Sequence, residues 1–211
     1  MILLNAGLPR SGTILVNTIM RGILNAQKIP FAVHNPNHAD LPKILSRITN
    51  SQSFKWQTHL IHLHTWDATS NAIYDRFPDH FMVTVNRRDP RDCAVSMAKL
   101  HELPMERAAQ NIAAFQSQMA FLQSRTHALP LRYEYLTKAK SGYIDQIAMH
   151  MGFTLTPTQL QTIDDDTNKD KIQAMAQAVA DGDVPTRGIK GSQRILKEHA
   201  ETHINDRHIQ S

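Results

Sequence analysis

A strand, a tight loop and a helix are predicted in close succession at the start of the chain. The apolar run at residues 1–4 predicts a buried strand, and Leu15, Ile19 and Ile23 repeat at the spacing of one helix face. The loop between them, residues 5–13, reads Asn-Ala-Gly-Leu-Pro-Arg-Ser-Gly-Thr. Such a loop delivers backbone N–H groups and the positive end of a helix dipole to an anion. The segment therefore favours an α/β fold with a phosphate-binding loop.

The two glycines of this loop have the spacing of an NTPase phosphate loop, but the lysine is absent. Gly7 and Gly12 are separated by four residues, and Thr13 stands where such an NTPase carries its lysine. Arg10 supplies a positive charge instead, as a fork that matches a tetrahedral oxyanion. The loop therefore favours an anion other than ATP. Its structural alternative is an ordinary turn between a strand and a helix.

A second strand-to-helix junction carries another arginine. Residues 81–86 are predicted to form a buried strand, which Arg88 ends. Asp89 is a good helix N-cap and Pro90 suits the first helical turn, so a helix is expected to begin there. Ser96 then lies about two turns into the helix. Arg88 and Ser96 are expected to reach one ligand phosphate beside the strand end.

The two segments together resemble the nucleotide-binding motifs of sulfotransferases that use 3′-phosphoadenosine 5′-phosphosulfate (PAPS). The matches are Pro-Arg-Ser-Gly-Thr at residues 9–13 and Arg-Asp-Pro-Arg-Asp-x-x-Val-Ser at residues 88–96. In that family the first loop cradles the 5′-phosphosulfate, and the arginine and serine of the second motif hold the 3′-phosphate. The resemblance implies cofactor contacts for Pro9, Arg10, Ser11, Gly12, Thr13, Ile14, Arg88 and Ser96. It implies PAPS as the cofactor and adenosine 3′,5′-bisphosphate (PAP) as its product.

Two further segments resemble the family less closely. Residues 129–133 are predicted to form a strand that ends at Tyr133. Tyr133 also begins Tyr-Glu-Tyr-Leu, which is similar to the family's Tyr-Glu-Asp-Leu segment near the adenine; the alternative is core packing. Residues 186–191, Thr-Arg-Gly-Ile-Lys-Gly, resemble the loop that closes over the 3′-phosphate, which implies cofactor contacts for Arg187 and Gly188. The alternative for that loop is a basic tail linker. Ile14-Leu15 stands where cytosolic members have Thr-Trp, so stacking of that tryptophan on adenine is not expected.

The predicted catalytic base lies at the end of a third strand. Residues 60–65 alternate and place His62 and His64 on the same face. Histidine is the usual base near neutral pH, and cytosolic sulfotransferases have a Lys-Thr-His-Leu-Pro segment here whose histidine is the base. The resemblance implies that role for His64, with Arg10 as a second catalytic group that neutralises charge on the leaving phosphate. Asp67 and Glu102 are reserve candidates.

The alternative for His64 is a histidine satisfied by local hydrogen bonds. A metal cluster of His59, His62 and His64 is disfavoured because no cysteines accompany them, and no metal is expected. The acidic run at residues 164–166 is interpreted as a helix start rather than a metal site. An alanine-rich helix is predicted over roughly residues 169–180.

Strands separated by helical stretches predict a central parallel sheet flanked by helices, similar to P-loop NTPases. The length of 211 residues fits one domain, residues 1–211, with residues 182–211 expected to form a cofactor-closing loop and tail. The single cysteine, Cys93, excludes an intrachain disulfide and is expected to be a small buried residue. The oligomeric state is left open.

Composition narrows the partners and the location. The formal net charge of +4 would attract an anionic nucleotide, but Lys and Arg are too scattered for a nucleic-acid surface. No apolar stretch approaches a membrane span and no leader segment is recognised, so no membrane contact and a cytoplasmic location are expected. The expected reaction is sulfuryl transfer to a hydroxyl or amine of a small-molecule or carbohydrate acceptor. Two alternatives remain: a degenerate P-loop kinase or NTPase, and a catalytically inactive nucleotide-binding module.

Overall fold

The computed structural model describes residues 1–36, 39–51, 57–124, 127–136 and 138–168. Strands and helices alternate through most of this part of the chain. The strands are β1 (Ile2–Gly7), β2 (Phe31–His34), β3 (Thr58–Leu63), β4 (Phe81–Arg87) and β5 (Ala128–Arg132). The helices are α1 (Thr13–Ala26), α2 (Leu41–Asn50), α3 (Ala68–Arg76), α4 (Pro90–His101), α5 (Met105–Gln123), α6 (Tyr133–Leu136), α7 (Lys140–His150) and α8 (Pro157–Asp166). A 3-10 turn at Pro78–His80 leads into β4.

The five strands form one parallel sheet in the order β2-β3-β1-β4-β5, as the sequence predicts. The chain leaves the central strand β1 toward one edge and then crosses to the other. In open α/β sheets, ligands bind outside the carboxyl ends of the strands near such a reversal. Gly7, the last residue of β1, pairs in register with Asn86 of β4. The first loop and the second motif therefore begin side by side.

Helices cover both faces of the sheet. On one face Ile2, Leu4 and Ala6 pack in a core shared with α2, α3, α4 and α5. On the other face Leu3 and Leu60 pack against α1, α7 and α8. Strands buried on both faces are nearly continuous in apolar residues, which explains the unbroken apolar start of the chain. The predicted architecture of a parallel sheet between helical layers is confirmed.

The boundary between β4 and α4 follows from two residues. The Asp89 side chain accepts a hydrogen bond from the Arg91 backbone N–H, and Pro90 is the first helical residue. The backbone N–H groups in the first turn of a helix have no partner within the helix, and a carboxylate at the N-cap accepts from one of them. Proline suits the first helical position because it has no N–H group. The predicted start of α4 is thus confirmed, with Ser96 in its second turn.

The prediction for the acidic run was wrong. Residues 164–166 end α8 rather than begin a helix. Helix α8 begins at Pro157, and Thr156 is its N-cap. The Thr156 side chain accepts a hydrogen bond from the Gln159 N–H, and the Gln159 side chain accepts one from the Thr156 N–H. Asp164 lies near the C-terminus of α8, where the helix dipole disfavours a carboxylate. Lys140 offsets this, because its ammonium lies 3.0 Å from the Asp164 carboxylate.

Two further predictions fall outside the described residues: the helix at 169–180 and the segment 182–211, which includes Arg187 and Gly188.

Candidate nucleotide-binding site

The first loop folds on itself between β1 and α1. The Ser11 backbone N–H and hydroxyl both donate to the Leu8 carbonyl oxygen, at 3.1 and 2.7 Å. Arg10 and Gly12 adopt positive φ angles of 71° and 88°. Gly12 is the N-cap of α1 and has no side chain with which to cap the helix. The first amides of α1 therefore face the loop without a side-chain cap, as in an anion-binding helix terminus.

Arg88 joins the second motif to this loop through main-chain and ring contacts. Its NH1 group donates to the Arg10 carbonyl oxygen at 3.0 Å. Its guanidinium carbon lies 4.3 Å from the centre of the Tyr133 ring, a cation–π arrangement. Tyr133 in turn covers Gly12, because a Cβ atom there would lie only 2.7 Å from Tyr133 Cδ2. Tyr133 is the first residue of α6 and not, as the sequence predicts, the last residue of β5.

Arg10 reaches the second motif with its side chain. Its Nε donates to the Ser96 hydroxyl at 3.0 Å, and the buried Ser96 lies on α4. The pKa of Arg10 is lowered, first by burial and second by the positive charge of Arg88. Two neighbouring guanidinium groups disfavour each other's charge, and a bound anion would relieve that repulsion. The structure therefore brings Arg10, Arg88 and Ser96 into one basic cluster.

The other predicted loop residues take different positions. Ser11 and Thr13 are buried, whereas Pro9 is partly exposed. Ile14 is 36% exposed on the outer side of the first turn of α1. The loop thus offers an anion its backbone and the cationic side chain of Arg10, while the Ser11 hydroxyl bonds within the loop.

His64 lies against the same loop, immediately after β3. Its Nδ1 is 2.8 Å from the Gly7 carbonyl oxygen, and only a protonated Nδ1 can donate there. This tautomer leaves Nε2 as a proton acceptor. The pKa of His64 is lowered, chiefly by burial and further by the charge of Arg10, although the bond to Gly7 opposes the shift. His64 is consequently neutral at pH 7, the state that a general base requires.

Among the other candidates, His62 contacts His64, whereas His59 and the reserve acid Asp67 have other partners. His62 contacts the His64 ring edge-on, with 4.8 Å between ring centres, as their shared strand face predicts. His59 points to the opposite face, where its Nδ1 lies 3.2 Å from Nε2 of His34. Asp67 caps α3 by accepting from Ser70 N–H.

The possible metal cluster is thus divided between two faces of the sheet. Within the described ranges, no three metal-ligating side chains lie together. Burial, followed by the neighbouring His34, lowers the pKa of His59 to about 4.

The reserve acid Glu102 is the C-cap of α4, at the opposite end of that helix from Asp89. Cys93 is fully buried, and burial raises its pKa to about 11, so its thiol is a packing group.

Sequence reasoning missed two buried polar residues beneath the site. Asn5 and Asn86 are 0% and 1% exposed and bond to each other across β1 and β4. Both asparagines lie in strands that are mostly apolar, two residues before Gly7 and Arg88 respectively. A polar side chain in a strand buried on both faces is the signal that could have identified them.

Replacement of Gly12 by alanine should destabilise the protein and weaken anion binding. The substitution puts a side chain at a φ of 88° and a Cβ 2.7 Å from Tyr133 Cδ2, at a cost of about 1–3 kcal/mol. The matched control is Gly142→Ala, because Gly142 lies in α7 with nothing within 4 Å of an added Cβ. The control should gain up to about 1 kcal/mol. Urea unfolding of both variants checks this, and equal stabilities would contradict the tight packing at Gly12.

Solved structures that hold PAP share this fold. Retinol dehydratase in complex with androsterone and inactive cofactor PAP aligns with a TM-score of 0.54 at 16% identity, over 82% of this chain and 65% of that one. Mouse sulfotransferase SULT7A1 complexed with PAP aligns with a TM-score of 0.58 at 16% identity, over 82% and 65%. Retinol dehydratase in a complex with retinol and PAP aligns with a TM-score of 0.56 at 17% identity, over 82% of this chain and 66% of that one.

The likeness is one of structure. No protein-family model matches the sequence, and no curated protein sequence matches it either. The chain spans about two thirds of the length of the three structures, 65–66%. None of the described helices is both long enough and apolar enough to cross a membrane. The parallel sheet with its flanking helices is the fold of sulfotransferase structures that hold PAP.

Proposed function

We propose that the protein is a PAPS-dependent sulfotransferase that moves a sulfuryl group to a hydroxyl or amine of a small-molecule or carbohydrate acceptor. The observation that carries the proposal is the convergence of Arg10, Arg88 and Ser96 at the carboxyl ends of β1 and β4. A cluster with two arginines and a hydroxyl suits a nucleotide with a phosphate at each end. Similarity of fold to PAP-bound structures supports the same ligand class.

The roles of the cofactor residues follow the two motifs. In this proposal, residues 9–14 hold the 5′-phosphosulfate through loop amides and the Arg10 side chain. Arg88 and Ser96 hold the 3′-phosphate, and Tyr133 lies on the adenosine side. Arg187 and Gly188 are proposed to complete the 3′-phosphate contacts.

The proposed chemistry uses His64 and the charge of the first loop. His64 Nε2 takes the proton from the acceptor hydroxyl as its oxygen attacks the sulfur of PAPS. The bond between sulfur and the 5′-phosphate oxygen breaks, and PAP leaves with the negative charge. Arg10 and the amides at the start of α1 stabilise that developing charge. Such transfer depends mainly on positioning and electrostatics, and the proposal includes no metal ion.

Small alcohols are reasonable first acceptors to test. Two of the compared structures hold androsterone or retinol, each of which carries a hydroxyl group. A screen of pooled alcohols, sugars and phenols with labelled PAPS would identify the acceptor. The expected cytoplasmic location belongs to the same proposal.

Selective thermal stabilisation by PAP tests the proposed ligand. At about 100 times its dissociation constant, a ligand stabilises the native state by about 2.7 kcal/mol, or about 5–10 °C for a chain of this size. PAP should give such a shift, and ATP with Mg²⁺ should give little. Adenosine 5′-monophosphate, which lacks the 3′-phosphate, is the matched control. A larger shift with ATP and Mg²⁺ would indicate a degenerate NTPase instead, and PAP binding without transfer to any acceptor would indicate an inactive binding module.

A further inference from the structure

We propose that Asn5 and Asn86 are positioning residues that fix the first loop and the second motif at the separation that a doubly phosphorylated nucleotide requires. This inference rests on the proposed function. Neither residue is placed to contact the cofactor, because both lie in the sheet beneath the loop. They act through the elements that carry Arg10 and Arg88.

The two side chains form a continuous hydrogen-bonded chain from β4 to α1. Asn86 Nδ2 donates to Asn5 Oδ1 at 2.7 Å and to the Ala6 carbonyl oxygen at 2.9 Å. Asn5 Nδ2 then donates to the carbonyl oxygen of Thr13, the first residue of α1, at 2.7 Å. The chain therefore joins the strand before Arg88 to the helix that follows the loop.

Close packing reinforces this connection at Gly7. A Cβ atom on Gly7 would lie 2.8 Å from Asn86 Cβ and 2.9 Å from the Asn86 carbonyl oxygen. It would also lie 2.7 Å from the hydroxyl of Ser11 in the loop. The end of β1 thus fits between the loop and Asn86 with no spare space, so a shift of either motif would break a contact or a hydrogen bond in this group.

Stability alone does not account for the pair. Val83 and Val85, which alternate with these polar positions in β4, point to the opposite face of the sheet and are apolar and buried. Apolar side chains can thus fill the interior at this sheet. Among the described residues, Asn86 Oδ1 has no hydrogen-bond partner although it is buried. An incompletely satisfied buried network is worse for stability than an apolar core. The directional bonds of the pair are therefore better explained by the geometry that they impose.

The test compares the PAP affinities of Asn5→Leu, Asn86→Leu and the double variant. Each affinity is measured by calorimetry at a temperature well below the midpoint of that variant's thermal unfolding, so that the protein is folded. Each single variant should bind PAP about 10-fold more weakly. The double variant should bind little worse than the weaker single variant, because both interrupt one chain. Affinity for adenosine 5′-monophosphate should fall less, since that ligand does not span both motifs. Asn86→Ala is measured in parallel, and it replaces Asn86→Leu in the comparison if the leucine variant does not fold.

Two controls separate positioning from general destabilisation. Thr84→Val removes a hydroxyl from the same sheet face, and that hydroxyl makes long contacts: 3.4 Å to Asn5 Oδ1 and to the Leu4 carbonyl oxygen, and 4.0 Å to Met20 Sδ. Ile147→Ala destabilises the core beside α1 without touching the chain of hydrogen bonds. Both should keep wild-type PAP affinity. Wild-type affinity in the asparagine variants would overturn the inference, whereas failure of the unaltered protein to bind PAP would instead overturn the proposed function.

Discussion

Replacement of Arg88 by alanine should weaken PAP binding roughly 10- to 150-fold and remove the preference for PAP over adenosine 5′-monophosphate. A hydrogen bond to a charged group contributes about 1.5–3 kcal/mol, and Arg88 is proposed to make such bonds to the 3′-phosphate. The variant also loses the bond to the Arg10 carbonyl oxygen and the contact with the Tyr133 ring. Both the ligand contact and the packing of the loop are therefore affected.

Arg87→Ala is the matched control for this experiment. Arg87 is adjacent in sequence, ends β4 and is exposed, so the control removes the same charge without touching the cluster. Calorimetric titrations at one fixed salt concentration compare the two variants, because phosphate binding depends on ionic strength. Arg87→Ala should bind PAP within about twofold of the unaltered protein. Equal weakening in both variants would mean that Arg88 acts only through net charge.

Replacement of His64 by asparagine should reduce sulfuryl transfer about 100- to 10,000-fold, the usual contribution of a general base, while PAP binding persists. The asparagine amide can occupy the position of Nδ1 and keep the hydrogen bond to the Gly7 carbonyl oxygen. No group then replaces Nε2. The loss would therefore appear in kcat with the acceptor found by screening, and PAP affinity measured by calorimetry would stay near that of the unaltered protein.

The pH profile gives the same hypothesis a second readout. Burial lowers the pKa of His64 below its ordinary value of 6.5, and the base is active only when neutral. Activity should therefore rise with pH through that lowered pKa and be level by pH 7. His150→Gln is the control, since His150 is another partly buried histidine bonded to a strand carbonyl, that of Val83. Full transfer activity in His64→Asn, or loss of activity in the control alone, would exclude His64 as the base.

The features that the sequence predicts well are local ones. The strand, loop and helix at residues 1–26 and the start of α4 at Asp89 and Pro90 depend on neighbours within a few positions. Hydrophobic spacing, glycine placement and capping chemistry act over that range. The parallel sheet follows from the alternation of such elements. The position of His62 and His64 on one face follows from strand geometry in the same way.

The contacts within the site depend on register and could not be predicted from the sequence. The hydrogen bond from Arg10 to Ser96 joins residues 86 positions apart, and its existence depends on how β1 pairs with β4. The stacking of Arg88 on Tyr133 depends on where α6 begins, and the sequence prediction placed Tyr133 in the strand instead. The roles of Arg187 and Gly188 remain predictions.

One carbonyl group connects the proposed base to the first loop. Gly7 ends the central strand, and its oxygen holds the imidazole of His64 while its α-carbon is confined by Asn86 and Ser11. A movement of that peptide would turn the histidine ring as well as the loop. Under the proposed function, a nucleotide that shifts this peptide on binding would therefore also change the direction in which His64 Nε2 faces the acceptor.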